Sequence, residues 1–520
     1  MRKARERCSL FADNKAYRGD QMTSQDLDVV IVGAGLSGIG AAYHLQKRCP
    51  GRSYAILEAR QAMGGTWDLF RYPGIRSDSD MYTFGYNFRP WTSGKVFADG
   101  PSIRAYVEDT AREAGINPHI HYGHKVVAAN WDSDAARWTV VAETADGKVS
   151  FTCRFLIQCS GYYRYEQGYM PEFEGMNDFK GEIIHPQLWP EDTDYTGKKV
   201  VIIGSGATAV TLVPAMAEKA AHVTMLQRSP TYIAARPSRD AIADFLRKIL
   251  PSRMAYTLSR FKNVLLSIFF FQLSRRRPAA VKRNVIKLVK DQLGEGFDVE
   301  KHFTPDYNPW DQRFCLAPDG DFFEVLKDGS ASIVTDHIDR FTETGIRLKS
   351  GEEIEADLII PATGLDMQLA GGAVFTVDRR IVQPHDLFTY RGMMLSNMPN
   401  MALAFGYTNA SWTLKVDLTF ERVCRMLNHM KKTGDDIAVP VPPADLEPAP
   451  LLDFSSGYVQ RALPHLPQQG SYAPWRTYQN YIQDMLAIRY GKLEDGHMQF
   501  CKAGDWHAEP GDVRRREAAE

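Results

Sequence analysis

Paired cysteines, net charge and long apolar runs are all missing from this 520-residue chain, and each absence removes a class of protein. The seven cysteines (Cys8, Cys49, Cys153, Cys159, Cys315, Cys424 and Cys501) are odd in number, and none is spaced as CxxC. A disulfide framework, a structural zinc site and a dithiol redox centre are therefore not expected. The reducing cytoplasm is the expected compartment. A formal net charge of -1 gives no field that would draw a nucleic acid. No run reaches the roughly 18–20 apolar residues of a membrane-spanning helix. The basic start (Arg2, Lys3, Arg5, Arg7) lacks the apolar core of a signal peptide behind it. Residues 1–25 read as a disordered leader, with Met22 as an alternative start, and 504–520 as a similarly loose tail.

What remains is an ordinary globular composition, 44% hydrophobic and 24% charged, long enough for two to four domains. Leu27 to Val32 (LDVVIV) reads as a buried parallel strand. It runs into Gly33-Ala34-Gly35-Leu36-Ser37-Gly38 and then a helical stretch. In that order, the glycines allow a tight turn and let backbone N–H groups approach a pyrophosphate at the positive end of the helix. The next strand, SYAILE, ends in Glu58, placed to accept hydrogen bonds from a ribose 2′-OH and to repel a 2′-phosphate. FAD or NAD is indicated here, and NADP disfavoured.

A second strand, Lys198 to Ile203, leads into Gly204-Ser205-Gly206-Ala207-Thr208-Ala209, with Val210 and Thr211 following in an apolar helix. The strand after it ends in Gln227, Arg228 and Ser229. Removing the carboxylate and supplying a guanidinium and a hydroxyl suits the 2′-phosphate of NADPH. The expected fold is α/β with two Rossmann-like dinucleotide-binding domains. The FAD domain is split, 26–165 closed by 366–503, and the NADP domain (166–235 and 306–365) is inserted in it. Strands RFLIQCS and DLIIPAT, ending at Gly161 and Gly364, suit the crossovers. Residues 236–305 read as a helical insertion in which Phe261, Val264, Leu265, Ile268 and Phe269 share helical spacing. Packing of that stripe on its own domain is the expectation, and contact with a membrane surface by a basic amphipathic helix is the alternative.

Between the cradles, Phe179-Lys180-Gly181-Glu182-Ile183-Ile184-His185-Pro186-Gln187-Leu188-Trp189-Pro190 matches FxGxxxHxxxWP. By that run the chain resembles the Baeyer–Villiger monooxygenases, the class B flavoprotein monooxygenases. GGTWDLFRYPGIRSDSD (64–80), GSGATAVTLVP (204–214), YNPWDQRFCLAPDGD (307–321) and GYTNASWTLK (406–415) resemble in particular the mycobacterial ethionamide-activating monooxygenases. His185 and Trp189 read as holding two domains in register. The resemblance implies that Ser37 and Glu58 bind FAD, that Thr66, Trp67, Asp68 and Leu69 line the flavin, and that Val126 offers backbone to the adenine. It places Arg76, Ser77 and Asp78 where flavin and nicotinamide meet, and Arg313 as the active-site cation. Ser77 stands where many relatives have cysteine, and Gln312 where many have lysine.

The implied reaction is ketone to ester, with NADPH and O2, through a C4a-peroxyflavin, together with oxidation of sulfides and thioamides. A fixed cation stabilises the peroxide and the developing oxyanion, arginine cannot lose its proton at working pH, and Asp78 orients it. The competing readings are an NADPH-dependent flavin reductase and a non-catalytic NADPH-sensing flavoprotein.

Overall fold

Strands with every side chain shielded from water can exist only between layers of helix, and two such parallel sheets organise this protein. The computed structural model describes residues 25–508. In the first sheet β1 (Gln25–Val32) lies between β2 (Tyr54–Glu58) and β6 (Gly147–Gln158), parallel to both. Val29, Val30 and Ile31 are fully buried. α1 (Leu36–Arg48) follows β1, β3 (Ile120–Tyr122) extends the sheet beyond β2, and β4 (Lys125–Asp132) and β5 (Arg137–Thr144) form an antiparallel meander with β6.

The chain then crosses to a second sheet. Its strands are β7 (Glu182–Ile183), β8 (Lys199–Ile203), β9 (His222–Gln227), β12 (Ala331–Thr335) and β13 (Leu358–Pro361), with β8 central and every pairing parallel. α2 (Ala207–Ala217) links β8 to β9. β10 (Ile233–Arg236) leaves this sheet and pairs instead with β11 (Cys315–Pro318). Beyond β13 the chain returns: β14 (Val374–Val377) joins β4, β15 (Arg380–Val382) joins β14, and β16 (Met401–Leu403) joins β6. The fold is thus the expected pair of Rossmann-like sheets, one inserted in the other.

The two crossing segments hold each other. Arg164 N–H donates to the Asp366 carbonyl (2.7 Å) and Gln368 N–H to that of Tyr162 (3.0 Å). The FxGxxxHxxxWP run braces this junction. Gln187 Nε2 donates to the carbonyls of Arg164 and Tyr165 (2.7 and 3.2 Å), and Gln187 N–H donates to His185 Nδ1 (3.1 Å). Trp189 is buried in the second core.

Between β10 and β11 stand α3 (Ala241–Ile249), α4 (Ser252–Arg276) and α5 (Pro278–Leu293). The apolar stripe of α4 was expected to pack inward, yet only Val264 is buried while Phe261, Leu265 and Phe269 are exposed. Polar side chains decide the orientation. Arg260 Nη1 donates to the carbonyls of Tyr82 (2.8 Å), Thr83 (3.1 Å) and Gly85 (2.7 Å), and Asn263 Nδ2 to Asp80 (2.9 Å).

The ends also differ from expectation. Gln25 belongs to β1 and is paired with Phe151; the rest of the expected leader lies outside the described residues. Residues 504–508 of the expected loose tail are tied down. Gly504 N–H donates to the Ser133 carbonyl (2.9 Å), and Arg380 Nη1 to that of Ala508 (3.0 Å).

Candidate active site

The first cradle follows from the close approach of two bare backbones. Gly35 caps α1, and a Cβ there would lie 3.4 Å from the Gly65 Cα. Gly65, at φ +58°, returns the contact at 3.1 Å. Gly33 (φ +99°) crosses tightly over the end of β6, where a Cβ would meet the Cys159 carbonyl oxygen at 2.6 Å. Gly38 seats α1 on the turn, with no room for a Cβ against the Gly33 oxygen (1.9 Å). Glu58 is buried at the end of β2, accepting N–H groups from Ala34 (2.7 Å) and Arg60 (2.9 Å). Burial pushes its carboxyl above the ordinary range.

Beside this turn opens a cavity of about 250 Å³ whose lining includes Gly35, Ser37, Thr66, Trp67, Asp78 and Arg313. Tyr163 Oη and Thr66 Oγ1 are 2.6 Å apart, and Trp412 Nε1 donates to Ser37 Oγ (3.0 Å). Sequence reasoning missed Tyr163 and Trp412. Trp412 lies in GYTNASWTLK, so a signal was there; Tyr163 follows the Gly161 exit without a pattern of its own.

Other expected residues do not reach this cavity. Asp68 is 3% exposed and surrounded by Arg60 (2.7 Å), Arg71 (2.9 Å) and Arg104 (3.1 Å). Its carboxylate is an anchor for three guanidiniums. Leu69 is buried, and Val126 lies in β4 where the pairing with β5 shifts register.

The second cradle is open. A Cβ on Gly206 would meet nothing within 4 Å, whereas one on Gly204 (φ +131°) would strike the Ala362 carbonyl oxygen at 2.4 Å. Ser205 Oγ donates to the Ser229 carbonyl (3.2 Å). Ala207, Arg228 and Ser229 are exposed, Thr208 half-buried, and Ala209, Val210 and Thr211 buried. Gln227, which was grouped with Arg228, is buried and donates to the His302 carbonyl and Thr335 Oγ1, both at 2.8 Å.

The loop from Gly64 to Asp80 spans the two cradles. Gly65 abuts Gly35, and Gly74 is pressed on α2, 2.6 Å separating its would-be Cβ from that of Ala215. Arg76 is ion-paired with Asp321. The Ser77 hydroxyl donates to the Ser79 carbonyl (3.0 Å). Asp78 Oδ2 accepts Arg313 Nη2 (2.6 Å) and Nε (3.1 Å), and this carboxylate holds the guanidinium pKa above its ordinary value.

Asp78 and Arg313 also line a second cavity, of about 730 Å³, walled by Phe270, Leu273, Val281, Val285 and Phe314 among others. The ion pair therefore stands where a glycine-lined, aromatic cavity meets a larger apolar one. Such a site can hold a dinucleotide by its backbone and present a fixed cation to an apolar reactant.

Residues 93–370 match the family model described as flavin-binding monooxygenase-like, and residues 31–98 an NAD(P)-binding Rossmann-like domain. The chain is 56% identical over 481 residues to the FAD-containing monooxygenase EthA of Mycobacterium tuberculosis, covering 92% of this chain and 98% of that one. The putative FAD-containing monooxygenase MymA of the same species is 50% identical over 493 residues, with 93% and 99% covered. Among solved structures, OTEMO in complex with FAD and NADP aligns with a TM-score of 0.66 and 25% identity, over 80% of this chain and 86% of that one.

Proposed function

The chain belongs to the flavin-binding monooxygenase-like family, and on that premise we propose that it is an FAD-containing, NADPH-dependent Baeyer–Villiger monooxygenase. Its reaction takes a ketone, O2, NADPH and a proton to an ester, NADP+ and water, and it also converts sulfides and thioamides to their S-oxides. The observation that carries the reading is the Asp78–Arg313 pair at the junction of the two cavities.

FAD is held at the first cradle, with Gly33, Gly35, Ser37 and Gly38 at the pyrophosphate and Glu58 at the ribose. Thr66 and Trp67 line the ring system. NADPH is held at the second cradle, from Gly204 to Ala209, with Arg228 and Ser229 on the 2′-phosphate. The tight cradle suits a resident cofactor and the open one a dissociable donor. Bound FAD supplies oxygen activation and bound NADPH the hydride. Arg313 stabilises the anionic oxygen donor and the oxyanion that develops on the ketone, and Asp78 positions Arg313. We place this chemistry on the cytoplasmic side, where buried thiols such as Cys153 and Cys315 stay reduced.

Turnover of an apolar ketone with ¹⁸O2 tests the reading. The ester should carry one ¹⁸O per NADPH consumed. NADPH oxidation that releases only hydrogen peroxide would make the protein a flavin reductase, and no NADPH oxidation at all would make it a non-catalytic binder.

A further inference from the structure

α3 and α4 each turn a stripe of large apolar side chains to solvent. The face of α4 turned to the protein carries Ser259, Arg260 and Asn263, whereas Met254, Leu258, Phe261, Leu265 and Phe269 are 43–65% exposed. Their spacing of three or four residues makes one stripe, about 22 Å long at 1.5 Å per residue. Ile242, Phe245 and Ile249 form a matching exposed stripe on α3. Ten of the seventeen exposed large apolar side chains among the described residues lie on α3, α4 and α5. A patch this concentrated marks a surface that is covered in use.

Charge says what covers it. From Arg239 to Lys290 the only acidic residues are Asp240 and Asp244, and both are taken up in ion pairs, with Lys262 and Arg247. Lys248 and Arg253, both exposed, flank the turn between the two stripes. Apolar stripes rimmed by uncompensated cations fit the headgroup–acyl boundary of an anionic bilayer. The same surface reaches the large cavity, because the half-exposed Leu266, Phe269 and Leu288 line it.

We propose that α3 and α4 seat the protein on an anionic lipid surface, and that apolar substrate dissolved in the bilayer enters the 730 Å³ cavity directly from it. The docking stands on the surface alone; the substrate route rests on the oxygenation reading above.

The flavin-loaded full chain is sedimented with vesicles of phosphatidylglycerol and phosphatidylcholine, and with phosphatidylcholine alone. Strong binding to the first and weak binding to the second is expected. K248Q/R253Q should weaken partition to the anionic vesicles about 30-fold, two lost surface charges. L258D/F261D should abolish it while keeping its flavin and its bleaching by NADPH. That variant should also lose turnover of 2-hexadecanone dissolved in vesicles but keep that of water-soluble cyclopentanone. Wild-type protein left in the supernatant with anionic vesicles overturns the docking. So does equal binding to both vesicles that neither variant changes, or a solution dimer that L258D/F261D splits into monomers, which would make the patch a self-association interface. Sedimentation needs no turnover, so failure of the oxygenation reading leaves it intact. Docking with no effect on 2-hexadecanone turnover overturns the substrate route alone.

Discussion

Asp78 offers one oxygen, Oδ2, to two nitrogens of Arg313, Nη2 at 2.6 Å and Nε at 3.1 Å. The remaining guanidinium nitrogen, Nη1, has a long bond of 3.4 Å to the Thr408 carbonyl. One edge of the cation is anchored and the other is loosely committed. An anchored edge fixes orientation, and a loosely held N–H can be given up to a reactant at small cost. The pair also couples the halves of the protein, since Asp78 lies on the loop between the cradles and Arg313 just before β11.

Gly35→Val should give a folded but colourless protein. At φ -77° the Gly35 backbone accepts any residue, and its first added carbon meets the Gly65 Cα at an ordinary 3.4 Å. The side chain instead fills the space into which a pyrophosphate must come. Circular dichroism should match the parent while flavin absorbance per chain falls to near zero. Full retention of flavin would remove this turn from the cofactor site.

Arg228→Ala should cut the preference for NADPH over NADH. A charge-assisted hydrogen bond contributes roughly 1.5–3 kcal/mol, so the ratio of kcat/KM values should fall about 10- to 100-fold. The change should come from NADPH, with NADH nearly unaffected. An unchanged ratio would mean that the exposed Arg228 meets no 2′-phosphate.

Asp68→Ala should cost stability more than flavin affinity. It leaves Arg60, Arg71 and Arg104 clustered without their shared carboxylate. All three are about one-third exposed, so solvent screens part of the penalty and a loss of about 2 kcal/mol remains. In a protein of this size the thermal midpoint should drop by about 2–4 °C. Lost flavin at an unchanged midpoint would return Asp68 to the cofactor.

Both cradles were legible because their signal is local. Strand, glycine turn and helix are consecutive in sequence, and the residue ending the next strand is fixed by register. Asp78 and Arg313, 235 positions apart, could be paired only through family resemblance, since no periodicity joins them. The three-arginine anchorage of Asp68 was not legible for a related reason. Asp68 shares a four-residue helix with Thr66 and Trp67, which reach the cavity, and nothing local says that its own side chain turns to three arginines. In α4 the helical period was plain but its phase was not. The inward face is chosen by the carbonyls of Tyr82, Thr83 and Gly85, acceptors that are in place only once the distant short helix Met81–Phe84 has folded.

Substitution of Arg313 should separate the two halves of the reaction. Hydride transfer from NADPH to flavin places no new negative charge where Arg313 stands, so Arg313→Ala should still be bleached by NADPH at close to the parent rate. Oxygen insertion into a ketone does develop such charge, and loss of one preorganised donor typically costs about 2.7–4 kcal/mol, roughly 10²–10³ in rate. Ester formation should fall by that factor. Sulfide oxidation develops no oxyanion on the substrate, so the ratio of sulfoxide to ester should rise. Arg313→Lys adds a test by pH. In the parent, Asp78 raises the guanidinium pKa above a value already beyond any working pH, so ester formation has no alkaline limb from this group. A lysine is a cation only below its own pKa, ordinarily about 10.4. Asp78 raises the pKa of a cation at this position, so Arg313→Lys should form ester across neutral pH and lose it only as pH rises past a lysine's ordinary value, while its reduction by NADPH stays flat. Stopped-flow reduction rates and product analysis with one ketone and one sulfide, from about pH 7 to about 11 so as to pass the lysine value, measure all of this. Undiminished ester from Arg313→Ala would make the residue structural and put the catalytic cation elsewhere.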